Sequence, residues 1–266
     1  MTNEHQFEIA PLPSNPVEAQ LDLLRRNLAV RTYPHYPAAN ERFYAEPSDL
    51  AKEHGRLVLP DGTWTIDTHP RQRVVEHTPD TQTQSVFRQQ GLELDSLGRP
   101  LHPWMSAMIR DPSIGVVMGK GAYWKWGPNY TADSIVVCRD HILLVKRKDT
   151  GLWALPGGHV DPGEAAKEAA PREVAEESGV TIPTDREGLV VYHGPVVDLR
   201  ATAHAWPETT AFLYQLEGEL PSALGMDDAA EAAWVPLEVI NQEDTLFGSH
   251  RFLLQQAQIH LKSPSL

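Results

Sequence analysis

Apolar and polar residues follow several distinct rhythms along the chain. Residues 1–15 are polar and proline-punctuated, as in a tail or an extended arm. Asn15-Pro16-Val17-Glu18 then reads as a helix start, with a capping Asn, Pro in the first turn and Glu three residues after the cap. Val17, Leu21, Leu24 and Leu28 follow at helical spacing, so the helix should end before Thr32-Tyr33-Pro34. A short helical turn is expected from Ser48 to Gly55. Arg56–Leu59 and Thr63–Ile66 flank Pro60-Asp61-Gly62 and predict a hairpin. From Thr68 to about Pro103 the chain is rich in Pro, Gln, Thr and His without clear periodicity, which predicts irregular structure. The rhythm changes near Trp124. Ser134–Cys138 and His141–Val145 are continuous apolar runs about a polar turn, the pattern of buried strands. Further strands are expected at Leu189–Tyr192, Thr209–Leu216 and Ala233–Val235, and helices at Lys167–Ser178 and Ser249–His260. No internal repeat is present. Strands interspersed with a few helices predict an α/β (α+β) sandwich with a mixed sheet.

Composition narrows the partners. The 266 residues carry 23 basic and 36 acidic side chains, a formal net charge of −13, and 41% of them are hydrophobic. An acidic chain of this kind argues against nucleic acid and against an anionic membrane surface as partners, since both need a concentrated basic face. The single cysteine, Cys138, rules out an intrachain disulfide framework and a cysteine-rich zinc site, and reads as a small buried hydrophobe. The opening MTNEHQFEIAPLPSNP places acids and prolines where a signal peptide needs a basic start and an apolar run. A soluble, cytoplasmic protein is therefore expected, as a monomer or homodimer.

One stretch carries chemistry. Leu155-Pro156-Gly157-Gly158-His159-Val160-Asp161-Pro162-Gly163-Glu164 leads into Arg172-Glu173-Val174-Ala175-Glu176-Glu177-Ser178-Gly179-Val180. On a helix, Glu173, Glu176 and Glu177 share one face, where three like charges repel unless a cation gathers them. Carboxylates are ligands for hard cations such as Mg²⁺. The glycines ahead of the helix allow backbone to approach that cluster closely, and Arg172 can grip a carboxylate through a fork of hydrogen bonds. A bare acidic run of this kind also fits a solvated helix face. The full spacing does more. Gly158, Glu164, Arg172, Glu173, Val174, Glu176, Glu177, Gly179 and Val180 fall on the pattern of the Nudix box, so residues 158–180 resemble the signature of hydrolases that act on a nucleoside diphosphate linked to another moiety.

The resemblance implies roles by position. Glu173 and Glu177 would be the main metal ligands, Glu176 would assist, and the Gly157 carbonyl would complete the shell around Mg²⁺, with Mn²⁺ able to substitute. Glu164 and Arg172 would brace the site. Pro171 departs from an ideal helix, because it lacks an N–H and crowds the preceding turn, so the helix should start late, near Lys167, or kink.

Segments outside the box resemble the ADP-ribose pyrophosphatase branch, which includes a mitochondrial-type enzyme and the ADP-ribose-sensing domain of a melastatin cation channel. They are Trp126–Asp133, Lys146–Trp153, Asp198-Leu199-Arg200 with Ala205–Thr209, and Asp227-Asp228-Ala229 leading to Trp234-Val235. The resemblance covers roughly residues 95–260. It implies a Nudix domain over residues 96–266, with residues 1–95 as an N-terminal cap or extension. It also implies that Asp198 and Arg200 contact substrate, although Asp-x-Arg is equally the pattern of a local ion pair. Glu208 is the leading carboxylate outside the box, as ligand or base, and Asp227 and Asp228 are alternatives. Trp124, Trp126 and Trp153 fit core bulk as well as base stacking. His193, His204 and His250 show no pair spacing typical of a metal site. Lys146-Arg147-Lys148 fits a solvated run better than a phosphate clamp.

The expected reaction is Mg²⁺-dependent hydrolysis of ADP-ribose, a small-molecule nucleoside diphosphate substrate, to AMP and ribose 5-phosphate. The alternatives are another substrate of the class (NADH, a dinucleoside polyphosphate or a sugar nucleotide) or a non-catalytic ADP-ribose sensor.

Overall fold

The computed structural model describes residues 15–30, 57–58, 64–65, 78–111, 113–114, 118–120, 123–240 and 246–261. The expected N-terminal tail and the helical turn at Ser48–Gly55 lie outside them.

The elements in chain order are α1 (Pro16–Val30), β1 (Leu57–Val58), β2 (Trp64–Thr65), α2 (Thr81–Gln89), α3 (Met105–Ile109), β3 (Gly127–Cys138), β4 (His141–Arg147), β5 (Trp153–Ala154), β6 (Gly157–His159), α4 (Ala166–Ser178), β7 (Leu189–Pro195), β8 (Ala205–Leu216), β9 (Ala229–Pro236) and α5 (His250–Leu261). β1 and β2 pair antiparallel, as the Pro-Asp-Gly turn signal predicts. The main sheet runs β5-β4-β3-β8-β7, with β6 also paired to β3 and β9 to β4. The fold is therefore α/β.

Two compact units divide these elements. One contains residues 130–194 and the described residues from 209 onward; the other contains the described residues from 15 to 129 together with 195–208.

In the first unit, strand alternation assigns the helices to their faces. Ala132, Val136, Leu143, Phe212 and Tyr214 join Ala169, Ala170 and Val174 of α4 in one buried cluster. Ser134, on the same face of β3, donates its hydroxyl to the Ala170 carbonyl at 3.2 Å. Successive side chains of a strand point to opposite faces, so Asp133 points away from α4. There it meets His250, the first residue of α5. Cys138 is fully buried, as expected of a small hydrophobe.

α4 begins at Ala166, close to the expected Lys167, and runs through Pro171 to Ser178. Its start has no side-chain cap on Ala165; instead Glu168 reaches back to accept from the Ala165 N–H at 3.0 Å.

In the second unit, α1 buries Ala19, Leu21, Leu23 and Leu24. Its Gln20 is also fully buried, accepting from the Val197 N–H at 3.0 Å and donating to the Pro195 carbonyl at 3.3 Å. The expectation of irregular structure from Thr68 to Pro103 is corrected here, because α2 occupies Thr81–Gln89. Asp80 caps it by accepting from the Thr83 N–H at 2.8 Å, and Phe87 is its only buried residue. No helix among the described residues is long and apolar enough to cross a membrane.

Candidate active site

The glycine turn and the acidic helix meet through β6. Ser134 N–H donates to the Pro156 carbonyl at 2.8 Å, so the next pair in register, Asp133 and Gly157, is the kind whose backbone groups turn away from the partner strand. The Gly157 N–H uses that freedom to donate to Glu177 Oε2 at 3.0 Å. Its carbonyl likewise turns away from β3.

Each of the two glycines clears space for a carboxylate. A Cβ at Gly158 would lie 2.5 Å from the Glu173 carboxylate, and one at Gly157 would lie 2.7 Å from Asp133 Oδ1 and 2.5 Å from the Ala132 carbonyl. No larger residue fits without moving a strand or an acid. The double glycine thus lets one short strand pass between Glu173 on one side and Asp133 on the other.

Arg172 organises the helix face. Its Nε and Nη2 donate to the two oxygens of Glu164 at 2.8 and 2.9 Å, its Nη1 donates to Glu173 Oε1 and Glu176 Oε2 at 2.8 and 2.9 Å, and its Nη2 also reaches the His159 carbonyl at 3.2 Å. The guanidinium holds the Glu164 carboxyl far below the ordinary range, at about 2, with the Asp161 N–H assisting. Arg172 thereby ties Glu164 to the Glu173 and Glu176 side chains of α4.

Glu173 and Glu177 differ from Glu176 in burial. Glu176 keeps about half of its side chain exposed, whereas Glu173 and Glu177 are largely enclosed. Burial pushes Glu177 up to about 8, the Gly157 N–H opposes this, and the charge of Glu173 adds to it. Burial also raises Glu173, against the pull of Arg172.

Among the described residues, no three Asp, Glu, His or Cys side chains are already gathered as a cation shell. Arg172 donates to one oxygen of Glu173 and one of Glu176, and the Gly157 N–H donates to one of Glu177. The donor set still suits a hard divalent cation. Burial raises both Glu173 and Glu177, the charge of Glu173 raises Glu177 further, and carboxylate oxygens beside a backbone carbonyl are the ligands such a cation takes.

The acids of the 223–228 loop approach from the end of α4. Leu224 and Met226 donate their N–H groups to the Ser178 and Glu177 carbonyls, both at 3.0 Å. Asp227 follows in a left-handed conformation at φ 44°, and its charge contributes to raising Glu173. The Lys146-Arg147-Lys148 run is tied down: Lys146 faces Glu231, Arg147 makes a two-point ion pair with Asp149, and Lys148 donates to the Asp227 carbonyl.

Asp198, Arg200 and Glu208 belong to the other unit. Asp198 is buried and accepts from the Arg200 N–H at 2.7 Å and from its guanidinium at 2.6–3.1 Å. The Arg200 guanidinium also lies 5.9 Å from the centre of the Tyr123 ring. Glu208 accepts from Trp206 Nε1 at 3.4 Å. Of the tryptophans weighed for stacking, Trp126 is buried and Trp124 is exposed.

Sequence reasoning passed over two residues beside the box. In the sequence Asp133 is only the end of the Trp126–Asp133 segment, and His250 has no partner at metal-site spacing. Both lie against the glycine turn, and their proximity is a property of the fold rather than of any local motif.

Comparison with known proteins agrees with this geometry. Residues 128–256 match the family model for the NUDIX domain. The mitochondrial ADP-ribose pyrophosphatase of Rattus norvegicus is 33% identical over 61% of this chain and 54% of its own length. The ADP-ribose pyrophosphatase of Methanocaldococcus jannaschii is 38% identical over 41% of this chain and 63% of its own. The transient receptor potential cation channel subfamily M member 2 of Mus musculus is 28% identical over 62% of this chain and 12% of its own. The match therefore spans less than two thirds of each of these relatives. Residues 128–256 of this chain are a Nudix domain.

Proposed function

We propose that the protein hydrolyses the pyrophosphate bond of ADP-ribose to AMP and ribose 5-phosphate with the aid of a divalent cation, Mg²⁺ foremost. The observation that carries this reading is the Gly157–Gly158 strand, which brings backbone against the buried Glu177 and the largely enclosed Glu173, two like charges on a helix braced by Arg172. The resemblance to ADP-ribose pyrophosphatases supports the substrate.

Glu173 and Glu177 would hold the cation, with the Gly157 carbonyl and Glu176 completing its surroundings. When bound, the cation supplies charge neutralisation at the pyrophosphate and makes water more acidic. The protein's own part is to fix the carboxylates. Arg172 and Glu164 keep α4 in register with the glycine turn, and the Gly157 N–H orients Glu177. The proton of the attacking water would pass to a carboxylate. Glu208, Asp227, Asp228 and a box glutamate are the candidates, and the charge of Asp227 contributes to raising Glu173. Asp198 and Arg200 would contact the substrate, Arg200 through phosphate or ribose and Asp198 through vicinal hydroxyls.

The test is a product assay on ADP-ribose, NADH, a diadenosine polyphosphate and a sugar nucleotide, each with Mg²⁺. AMP and ribose 5-phosphate from ADP-ribose at the highest kcat/KM is the expected result. Binding of ADP-ribose without turnover would replace the hydrolase with a sensor, and a faster reaction on another compound would reassign the substrate.

A further inference from the structure

We propose that His250 and Asp133 are positioning residues for the cation site, acting through the backbone of residues 155–157. The proposal rests on the hydrolase reading above and extends it to side chains on another strand and another helix.

The geometry is a chain of contacts. The Leu155 N–H donates to His250 Nδ1 at 2.7 Å. That nitrogen must then be the unprotonated one, so the proton of the neutral ring sits on Nε2. Nε2 faces Asp133 Oδ1 at 3.7 Å. Asp133 in turn accepts from the Thr209 hydroxyl at 2.5 Å through its other oxygen. The same Oδ1 lies where a side chain at Gly157 would be. His250 and Asp133 therefore bracket the turn at both ends, one at Leu155 and the other at Gly157, whose N–H addresses Glu177.

The segment that delivers His250 is itself fastened to β5. Leu246 bridges Trp153, and the Phe247 N–H donates to the Trp153 carbonyl at 2.8 Å. The Phe247 ring lies 4.4 Å from the Arg147 guanidinium.

Packing alone does not account for this arrangement. His250 and Asp133 are both buried, and burying a polar side chain is costly unless it satisfies another group. Apolar residues at both positions would fill the space and leave the Leu155 N–H without its acceptor. What the polar pair provides is a fixed place for the turn, and with it the distance between Gly157 and Glu177. Mutating the groups that hold metal ligands in place typically costs about ten- to a hundredfold in metal affinity.

Titration of the metal-free full chain with Mn²⁺, followed by electron paramagnetic resonance and without substrate, tests this. Glu177→Gln should weaken Mn²⁺ binding at least tenfold, and His250→Phe roughly tenfold. His250→Asn should stay within about threefold of wild type, because its amide oxygen can take the place of Nδ1 and accept from the Leu155 N–H. Near-ultraviolet circular dichroism confirms folding of each variant. If His250→Phe fails to fold, Asp133→Asn carries the test, since it keeps its size and its Thr209 bond and should still weaken Mn²⁺ binding severalfold. Unchanged binding in Glu177→Gln would overturn the cation site itself. Weakened binding in Glu177→Gln with unchanged binding in His250→Phe, or in Asp133→Asn where that variant stands in, would overturn the positioning role alone. Equal losses in His250→Phe and His250→Asn would overturn it too, by showing that ring packing rather than the acceptor matters.

Discussion

Arg172 grips Glu164 along one edge of its guanidinium, Nε to Oε1 at 2.8 Å and Nη2 to Oε2 at 2.9 Å, and that leaves Nη1 for Glu173 and Glu176. Three acids on two segments are thereby held by one planar group. A lysine offers a single point charge and cannot reproduce this division. Arg172→Lys is expected to lower kcat/KM by roughly ten- to a hundredfold, because Glu173 loses its orientation. Glu164→Gln should cost less, since an amide still accepts from one nitrogen. Steady-state kinetics on both variants checks the order, and a smaller loss in Arg172→Lys than in Glu164→Gln would contradict it.

The burial contrast along α4 separates its three glutamates. Glu173→Gln and Glu177→Gln should each nearly abolish turnover while leaving the fold intact, because an amide is a poor ligand for a hard cation. Glu176→Gln should cost less, in keeping with its exposure. Turnover at saturating Mg²⁺ together with thermal melting provides the measurement. Near-wild-type rates in the first two variants would remove the metal assignment.

How much of this site could be read from the sequence depended on how local each contact is. Glu173, Glu176, Glu177 and Arg172 sit within a turn and a half of one helix, so spacing alone places them on one face. α1 was legible from its apolar stripe and β3, β4, β7, β8 and β9 from their apolar runs, whereas β5 and β6, only two and three residues long, leave no such run and were not expected as strands. α2 was not, because Thr81–Gln89 buries only Phe87 and so shows no apolar stripe; its one signal was Asp80 as a cap. Asp133 and His250 carry no local signature at all. Their relationship is created by strand alternation on β3 and by the placement of α5, which no short spacing encodes.

His204 gives a pH dependence of stability in the second unit. It is fully buried, with Nδ1 2.9 Å from the Pro100 carbonyl, and burial, with the nearby Arg99 charge, lowers it to about 4. The unfolded chain binds this proton near pH 6.5, so stability is complete above that pH and falls as pH drops from about 6.5 toward 4. The loss amounts to about 3 kcal/mol at most. Urea melts at pH 7.5 and pH 4.5 should show a smaller pH effect in His204→Leu than in wild type, although the variant is less stable at pH 7.5. An equal pH effect in both would mean that His204 already carries its proton in the fold.

Gln20 ties α1 to the strand end that precedes Asp198. Its amide serves both the Val197 N–H and the Pro195 carbonyl. Gln20→Met keeps the volume and removes both bonds, leaving buried backbone groups unpaired at a cost of about 2 kcal/mol. If Asp198 and Arg200 contact substrate, KM for ADP-ribose should rise as well, because their loop loses its anchor. Calorimetric melting and KM together check this, and unchanged values for both would make α1 a passive neighbour of that loop.

The proposed contact with substrate rests on Asp198 and Arg200, the pair that follows the Gln20 anchor. Arg200 grips Asp198 within its own loop, and that pairing is compatible with two roles: presenting the guanidinium to a ligand, or simply closing the loop. Arg200→Ala should lower kcat/KM for ADP-ribose about ten- to a hundredfold, the effect of about 1.5–3 kcal/mol from one charge-assisted contact, while leaving the Mg²⁺ dependence alone. Asp198→Asn should fall in the same direction by less, since its amide oxygen still accepts from Arg200. Comparison with ADP, which lacks the second ribose, separates the roles. A carboxylate that reads ribose hydroxyls makes Asp198→Asn selectively poor on ADP-ribose and near normal on ADP. Equal losses on both substrates would assign Asp198 to closing the loop, and the contact with ribose would have to come from other side chains.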